Sequence, residues 1–380
     1  MTSRERLLCV LQGEIPDQVP VSPFVQEEYL SWYFDKKDTS RLYDAVQLAK
    51  ELDFDLITRQ YINPIPYFLK NSTENWKVHI SEGKEGNNYV RRTKVETPKR
   101  TMEQVEAASY NEKILSGIHF STVEYLIKDE DDFYAFKEYC PRHSAAEEDF
   151  ILKQGKISRA EVGDLGITCP WSIGGVYNLV STYMDVQDML CDALGEEEYY
   201  EEYMNFFTDL VEEENKIYAR SDFDAVGVQG NIANGAIMND EYFDEFVLPY
   251  ERRALEPLIR CGKPTIYHNC GNAKVLYPEY KKLGITVWET VSANPQGDNV
   301  LSEAKEYFQD SLILSGNFDQ IHFLKEASPE EIEKEAYAQM MIGKQNGHYI
   351  FACSDYLEIG TPLENVKAML RGARKAAKYE

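Results

Sequence analysis

The sequence predicts an α/β protein with the architecture of a (β/α)8 barrel. Eight short apolar segments alternate with longer segments whose apolar residues recur at helical spacing, a pattern typical of parallel strands joined by helices. The predicted strands are 19–24, 55–59, 166–170, 225–229, 265–268, 285–289, 312–316 and 349–353. A doubly wound open sheet is the alternative, but it needs a glycine-rich phosphate turn after the first strand, and the sequence has none there.

Several helical segments begin with capping residues. The segment 328–331 (Ser-Pro-Glu-Glu) combines an N-cap serine, a proline at the first helical position and a glutamate three residues after the cap. The segment 361–364 (Thr-Pro-Leu-Glu) repeats this arrangement. The opening segment 2–13 predicts an amphipathic helix, with Ser3 as its N-cap and Gly13 as its stop.

The connection between the second and third predicted strands is far longer than an ordinary loop, at about a hundred residues. We expect a single domain over residues 1–380, in which residues 63–165 form an insertion over the barrel mouth. Segments 76–80 and 89–95 alternate like strands around turn residues 82–88, which predicts a β-hairpin, with helices completing the insertion. Long insertions on this face usually shape an active site or a docking surface.

The charge and the cysteines exclude several classes of protein. The chain has 380 residues and a formal net charge of -25, which repels phosphate backbones and anionic lipids, so we expect neither nucleic-acid nor membrane binding. The seven cysteines are scattered, without disulfide-framework spacing, which favours a reducing compartment. Because the chain also lacks a signal-like apolar start and a transmembrane run, we expect a cytoplasmic protein.

A histidine and two cysteines follow predicted strands and match the ligands that zinc prefers. His268 and Cys270 lie two positions apart at the end of strand 265–268, and Cys353 ends strand 349–353. If both strands end at the same rim, these three side chains leave a fourth zinc position open, as in catalytic rather than structural sites. A lone His-x-Cys is a weak signal, because free cysteine is often a small buried apolar residue, and that alternative stays open.

Five polar residues also lie at or just after predicted strand ends. Asp319 and Asp355 are predicted catalytic residues, because their strands frame the proposed metal. Gln229, Asn231 and Asn317 are predicted to contact a cofactor or to orient the ligating histidine. Each of the five has an alternative role as a turn or helix-capping residue.

The order of the motifs resembles the uroporphyrinogen decarboxylase superfamily, and within it the cobalamin-dependent methyltransferases. The resemblance covers nearly the whole chain and implies a barrel. Its motifs are 2–6 with 17–20, 230–250 with Asn-Asp-Glu-Tyr-Phe at 239–243 and Leu-Pro-Tyr at 248–250, 268–271, 316–319 and 360–366.

Two positions separate this sequence from the decarboxylases of that superfamily. Those enzymes resemble one another in an arginine-rich segment after the first strand and an aspartate after the second. Here residues 22–28 hold no arginine and residues 58–61 (Thr-Arg-Gln-Tyr) hold no aspartate. The methyltransferase branch instead carries His-x-Cys with a cysteine about eighty residues later, the order of His268, Cys270 and Cys353.

The resemblance therefore implies a zinc-dependent enzyme that moves a methyl group between a corrinoid (cobalamin), carried by a partner protein, and a small thiol or methoxy compound. Glu289, which ends the sixth strand, is either a fourth zinc ligand or a rim carboxylate that binds nothing. A homodimer is one expected assembly. The alternatives are decarboxylation of a tetrapyrrole, which predicts activity without metal, and a corrinoid-binding module without turnover.

Overall fold

The structure is a computed structural model that describes residues 1–111 and 119–379. Its central sheet is parallel, and its strands lie side by side in chain order. In spatial order the strands are Tyr349–Cys353, Ile313–Phe318, Val287–Val291, Thr265–His268, Val226–Gln229, Pro170–Trp171 and Gln60–Tyr61, and a second parallel pair joins Leu56–Ile57 to Gly166–Ile167.

The segment 19–24 lies between the last and the second barrel strands. The backbone N–H of Ser22 donates to the carbonyl of Phe351 and that of Phe351 donates to Pro20, both at 2.9 Å. On the other side, the N–H of Asp55 donates to the carbonyl of Val21, also at 2.9 Å. The segment therefore occupies the first barrel position, and the predicted fold class is confirmed.

Two of the predicted strands are divided in the structure. The second one, predicted over 55–59, becomes Leu56–Ile57 and Gln60–Tyr61, because Arg59 adopts a φ of 44°, which no regular strand allows. The third one divides at the same level into Gly166–Ile167 and Pro170–Trp171. Sequence patterning missed the break, because it tracks side-chain polarity and not the backbone angle of one residue.

The helices cover the outside of the barrel and connect its strands. They are Ser3–Leu11, Glu27–Phe34, Tyr43–Leu52, Tyr67–Lys70, Glu130–Tyr139, Ala145–Val162, Val176–Tyr183, Val186–Gly195, Glu197–Ala219, Asp240–Tyr242, Leu248–Cys261, Tyr277–Leu283, Leu301–Phe308, Phe323–Glu326, Pro329–Gly343 and Leu363–Ala377, with 3-10 turns Gly163–Leu165 and Lys274–Leu276 and a π-helical turn Phe243–Val247. No helix in the described ranges has both the length and the apolar character needed to cross a lipid bilayer.

The predicted helix starts are partly right. Ser328 forms a capping box with Glu331, as predicted. The first helix is capped by Thr2, one residue before the predicted Ser3. Thr361 caps no helix, since its hydroxyl donates to the carbonyl of Glu358.

The first helix, Ser3–Leu11, closes the amino-terminal end of the barrel. Its apolar side chains join the residues inside the barrel in one core, separate from the larger core between the barrel and the outer helices. The inner core consists of Leu7, Val10, Leu11, Ile57, Ile167, Cys169, Ala225, Ile266, Val287, Ile313 and Ile350. On the same helix, Arg6 Nη1 lies 2.6 Å from Asp55 Oδ1, and Asp55 Oδ2 accepts the N–H of Val21 at 2.8 Å.

The connection between the second and third barrel strands contains a four-stranded antiparallel sheet. Its strands are Lys77–Glu85, Asn88–Glu96, Thr101–Ser109 and Ser121–Glu124. The hairpin is present, but its turn is tighter than the predicted 82–88, since Glu85 pairs with Asn88. The third and fourth strands were missed. Helix Ala145–Val162, inside the predicted insertion, packs against the outer helices Tyr43–Leu52 and Glu197–Ala219.

A buried carboxylate on helix Leu248–Cys261 gives the folded protein a pH-dependent stability. Glu251 is 1% exposed, and its Oε1 accepts the N–H of Tyr177 at 3.1 Å. Gly175 permits this approach, because a Cβ there would lie 2.8 Å from the carboxylate. Burial raises the pKa of Glu251 to about 7, more than these hydrogen bonds lower it.

The unfolded chain ionises Glu251 at lower pH than the folded chain, so the free energy of unfolding should fall as pH rises from about 4.5 to about 7. The Glu251→Gln variant should show a smaller fall, measured by urea unfolding at several pH values. Burial raises the pKa of Glu214 to about 7 as well, so part of the slope should remain. Glu256→Gln, at a surface position on the same helix, is the control; an equal change in both variants would refute the assignment.

Candidate metal centre

His268, Cys270 and Asp355 meet at the carboxyl-terminal mouth of the barrel. His268 ends strand Thr265–His268, Cys270 lies in the turn after it, and Asp355 follows strand Tyr349–Cys353. One ligand atom from each of the three lies within 4.8 Å of the other two. Because the strands are parallel, their carboxyl ends share one rim, the usual place of active sites in such barrels.

The imidazole of His268 is held between two carboxylates and two aromatic rings. Its Nδ1 lies 3.3 Å from Glu289 Oε1, and its Nε2 lies 3.9 Å from Asp355 Oδ1. The rings of Phe24 and Trp171 meet it edge-on, at centroid distances of 5.5 and 5.7 Å. The ring is therefore fixed, with one nitrogen towards Glu289 and the other towards the mouth.

The electrostatics of this site favour positive charge. Burial lowers the pKa of His268, but Cys270, Glu289 and Asp355 outweigh it and raise that pKa to about 10. Burial raises the pKa of the Asp355 carboxyl, and the charge of His268 only partly offsets this rise. The three groups thus stabilise positive charge on or beside this imidazole, where a cation could bind.

Glu289 has a partner that sequence reasoning missed. The Arg59 guanidinium donates from Nε to Glu289 Oε2 and its Nη2 forms an ion-pair contact with the same oxygen, and the two side chains are each 1% exposed. Burial raises the pKa of Glu289, but the charge of Arg59 and the contact with His268 hold it at about 2. The sequence signal was a single arginine at the end of an apolar strand; its partner lies 230 residues away.

The structure does not bring Cys353, the predicted third ligand, to His268 and Cys270. Its Sγ lies 3.6 Å from the sulfur of Met369 on the outer helix Leu363–Ala377. Ile350 faces the inside of the barrel and Cys353, three positions later, faces the outer core, as strand alternation requires. Asp355, predicted as a catalytic residue, lies beside His268 and Cys270 instead.

Asp319 and Asn317 hold the backbone of neighbouring rim loops. Asp319 Oδ1 accepts the N–H groups of Ile321 and His322 at 3.0 and 3.1 Å, so it stabilises the turn before helix Phe323–Glu326. The amide of Asn317 donates to the carbonyl of Val291 at 3.0 Å. Neither belongs to the His268 group among residues 1–111 and 119–379.

Gln229 and Asn231 follow the strand next to His268. The Gln229 amide donates to the Tyr61 hydroxyl at 2.9 Å. Asn231 Oδ1 is buried and has no hydrogen-bond partner within the described part of the chain. Both positions therefore stay candidates for contact with a bound molecule.

The connection that holds the antiparallel sheet reaches the mouth through His119. The ring of His119 stacks on Tyr356, with centroids 5.8 Å apart and planes within 8°. Its Nε2 also contacts the Gln26 amide. Since Tyr356 adjoins Asp355, the long connection lies against the entrance to the three-residue group.

Comparison with known proteins identifies the family. The model of the uroporphyrinogen decarboxylase (URO-D) family matches residues 116–376. The chain belongs to the URO-D family. This confirms the superfamily that the order of the motifs had indicated.

Two similar curated proteins are named as methyltransferases. A methylated-thiol–coenzyme M methyltransferase of Methanosarcina mazei is 27% identical over 38% of this chain and 35% of its own length. The methylcobamide:CoM methyltransferase MtbA of Methanosarcina acetivorans is 22% identical over 38% of this chain and 42% of its own. The matched region thus spans about two fifths of these curated relatives.

A solved URO-D-like structure shares the fold over the whole chain. It is a methyltransferase from Methanosarcina mazei with a TM-score of 0.68, 17% identity, and 99% coverage of both chains. This likeness supports the barrel assignment.

Proposed function

We propose that the protein is a zinc-dependent methyltransferase that moves a methyl group between a corrinoid protein and a small thiol or methoxy substrate. The convergence of His268, Cys270 and Asp355 at the barrel mouth is the observation that carries the proposal. The names of the two curated relatives, which include a methylated thiol and methylcobamide, support methyl transfer as the type of reaction.

The three side chains fit zinc by the chemistry of their donor atoms. An imidazole nitrogen, a thiolate sulfur and a carboxylate oxygen are the ligand types that zinc accepts. Magnesium and calcium prefer oxygen alone, so Cys270 and His268 disfavour them. Three protein ligands leave one position for a substrate atom, as in catalytic sites.

When bound here, zinc would supply Lewis acidity, which lowers the pKa of a thiol or polarises a methoxy oxygen. The protein's own residues do the positioning. Glu289 fixes the His268 ring through Nδ1, so that Nε2 faces Asp355. Phe24 and Trp171 keep water from the sides of the imidazole. Asp355, with 23% of its side chain exposed, marks the open side from which a substrate would enter.

The same open side suits a corrinoid presented by a partner protein. Methyl transfer needs the corrinoid methyl group and the substrate atom in line at one point. Tyr356 and His119 form one wall of this entrance. A partner that docks over the long connection would therefore reach Asp355.

Decarboxylation of a tetrapyrrole is the weaker candidate. A polycarboxylate substrate needs free cations at the mouth, but Arg41 is paired with Glu27, and Arg59 with Glu289. Both pairs are buried. Each arginine is thus already neutralised.

The test combines metal analysis with an activity assay. Purified wild-type protein should hold about one zinc per chain, and His268→Ala should hold less than about a tenth of that. Methyl transfer between methylcobalamin and a small thiol should stop after chelation and return with zinc. His322→Ala, a rim histidine with 53% of its side chain exposed, is the matched control and should keep its zinc.

Two results would contradict the proposal. One is wild-type protein without zinc, or with zinc that His268→Ala retains in full. The other is activity on a tetrapyrrole that survives the chelator, which would favour the decarboxylase.

A further inference from the structure

Both carboxylate oxygens of Glu289 have partners. Oε2 accepts a hydrogen bond from Nε of Arg59, with Nη2 in ion-pair contact, and Oε1 lies 3.3 Å from Nδ1 of His268. In the residues that the structure describes, the group of potential metal ligands contains His268, Cys270 and Asp355 but not Glu289. This carboxylate therefore touches the candidate metal site only through the histidine.

Arg59 is held in place from several sides. Its guanidinium lies over the Phe24 ring at 4.8 Å, and its Nη1 donates to the carbonyl of Ile57 at 3.3 Å. Its own carbonyl accepts Nη1 of Arg41 at 3.0 Å. The φ of 44° at Arg59 turns the chain at this point, a conformation that persists only where the surroundings enforce it.

We infer that Arg59 is a positioning residue: it holds Glu289 off the metal and so keeps one coordination position open for the substrate atom. The inference rests on the proposed function. Without the arginine, a buried carboxylate directly behind His268 would have a cation within reach and no other positive partner. It would then compete with the substrate for that position.

The planar guanidinium of Arg59 allows it to fix the position of the Glu289 carboxylate. Arg59 donates from Nε to the carboxylate and from Nη1 to the Ile57 carbonyl at an angle that its planar group fixes, whereas lysine offers one compact charge on a flexible stem. Arg59→Lys therefore keeps the buried positive charge but loosens its hold on Glu289. Glu289→Gln keeps the shape and the acceptor for His268 but removes the competing negative charge.

The experiment uses cobalt(II) in place of zinc and ethanethiol as the incoming ligand. Thiolate binding is followed by the thiolate-to-cobalt charge-transfer absorption. We expect Arg59→Lys to bind ethanethiol about tenfold more weakly than wild type, a difference of about 1.4 kcal/mol. The double variant Arg59→Lys/Glu289→Gln should regain the wild-type affinity. Arg92→Lys, in an exposed pair with Glu85, is the control and should match wild type.

The outcomes separate this inference from the proposed function. If cobalt binds and depends on His268 but Arg59→Lys leaves the thiol affinity unchanged, the inference is wrong and the metal site stands. Tighter thiol binding in Glu289→Gln alone also overturns it, because Glu289 would then already compete in wild type. The Glu289→Gln variant tests the inference even if Arg59→Lys fails to fold. If wild-type protein binds no cobalt at His268, both fail.

Discussion

Asp355→Asn is expected to lose zinc, whereas Cys353→Ala is expected to keep it. Asp355 is one of the three side chains whose ligand atoms lie within 4.8 Å, and an amide is a poor replacement for a carboxylate as a zinc ligand. The thiol of Cys353 contacts Met369 on the outer helix, so its removal changes packing and not the metal group. We expect zinc affinity to fall by about 100-fold or more in Asp355→Asn and by less than about twofold in Cys353→Ala.

Competition with a chromophoric chelator measures both affinities directly. Urea unfolding of the metal-free forms serves as the control, because Cys353→Ala removes a buried group and should lower the free energy of unfolding. The opposite pattern, zinc lost with Cys353→Ala and kept with Asp355→Asn, would restore the ligand set that the sequence predicted.

Asp55→Ala should destabilise the fold by about 1–3 kcal/mol, because it leaves the buried N–H of Val21 without this acceptor and the Arg6 guanidinium with Asp17 as its remaining carboxylate partner. Asp55 receives Arg6 from the first helix at 2.6 Å and the N–H of Val21 from the first barrel segment at 2.8 Å. One carboxylate thus joins the helix that closes the barrel to two adjacent barrel positions. The measurement is the free energy of unfolding from urea titration by circular dichroism.

Asp53→Asn provides the comparison two residues earlier, because asparagine removes the charge and tolerates the left-handed backbone (φ 55°) at this helix end. The Asp53 side chain is 91% exposed and pairs with Arg374 at the surface, so its loss should change stability by less than about 0.5 kcal/mol. Equal losses of unfolding free energy at the two positions would show that the stability depends on the charge of this segment and not on the buried contacts of Asp55 with Arg6 and Val21.

The fold was predictable because its main signal is repetitive. Strands buried on both faces appear as apolar runs, and the helices between them carry caps such as Ser328 with Glu331. Details set by single residues were not predictable in this way. The break at Arg59 depends on one backbone angle, and the third strand of the inserted sheet, Thr101–Ser109, carries a weaker apolar pattern.

The candidate site was predictable only in part, for a geometric reason. His268 and Cys270 are close in sequence, so their spacing alone brought them together. Cys353 points away from the site because strand Tyr349–Cys353 presents it to the outer core, and an all-buried strand gives no alternation from which to predict this. Asp355 lies beyond the end of that strand, where strand alternation no longer sets the direction of its side chain. The pair of Arg59 with Glu289 joins strands far apart in sequence, and only the folded barrel shows it.

The candidate metal ligands are drawn from the fifth and the eighth barrel positions, and two whole βα units lie between Cys270 and Asp355. A cation held there would act as a cross-link that closes this part of the chain into a loop. Such a cross-link favours the folded state by mass action, and its benefit is confined to the units it encloses. Loss of the metal would then favour local unfolding of the carboxyl-terminal third of the barrel first. Metal binding at the barrel mouth and the order of local unfolding would thus depend on the same three side chains.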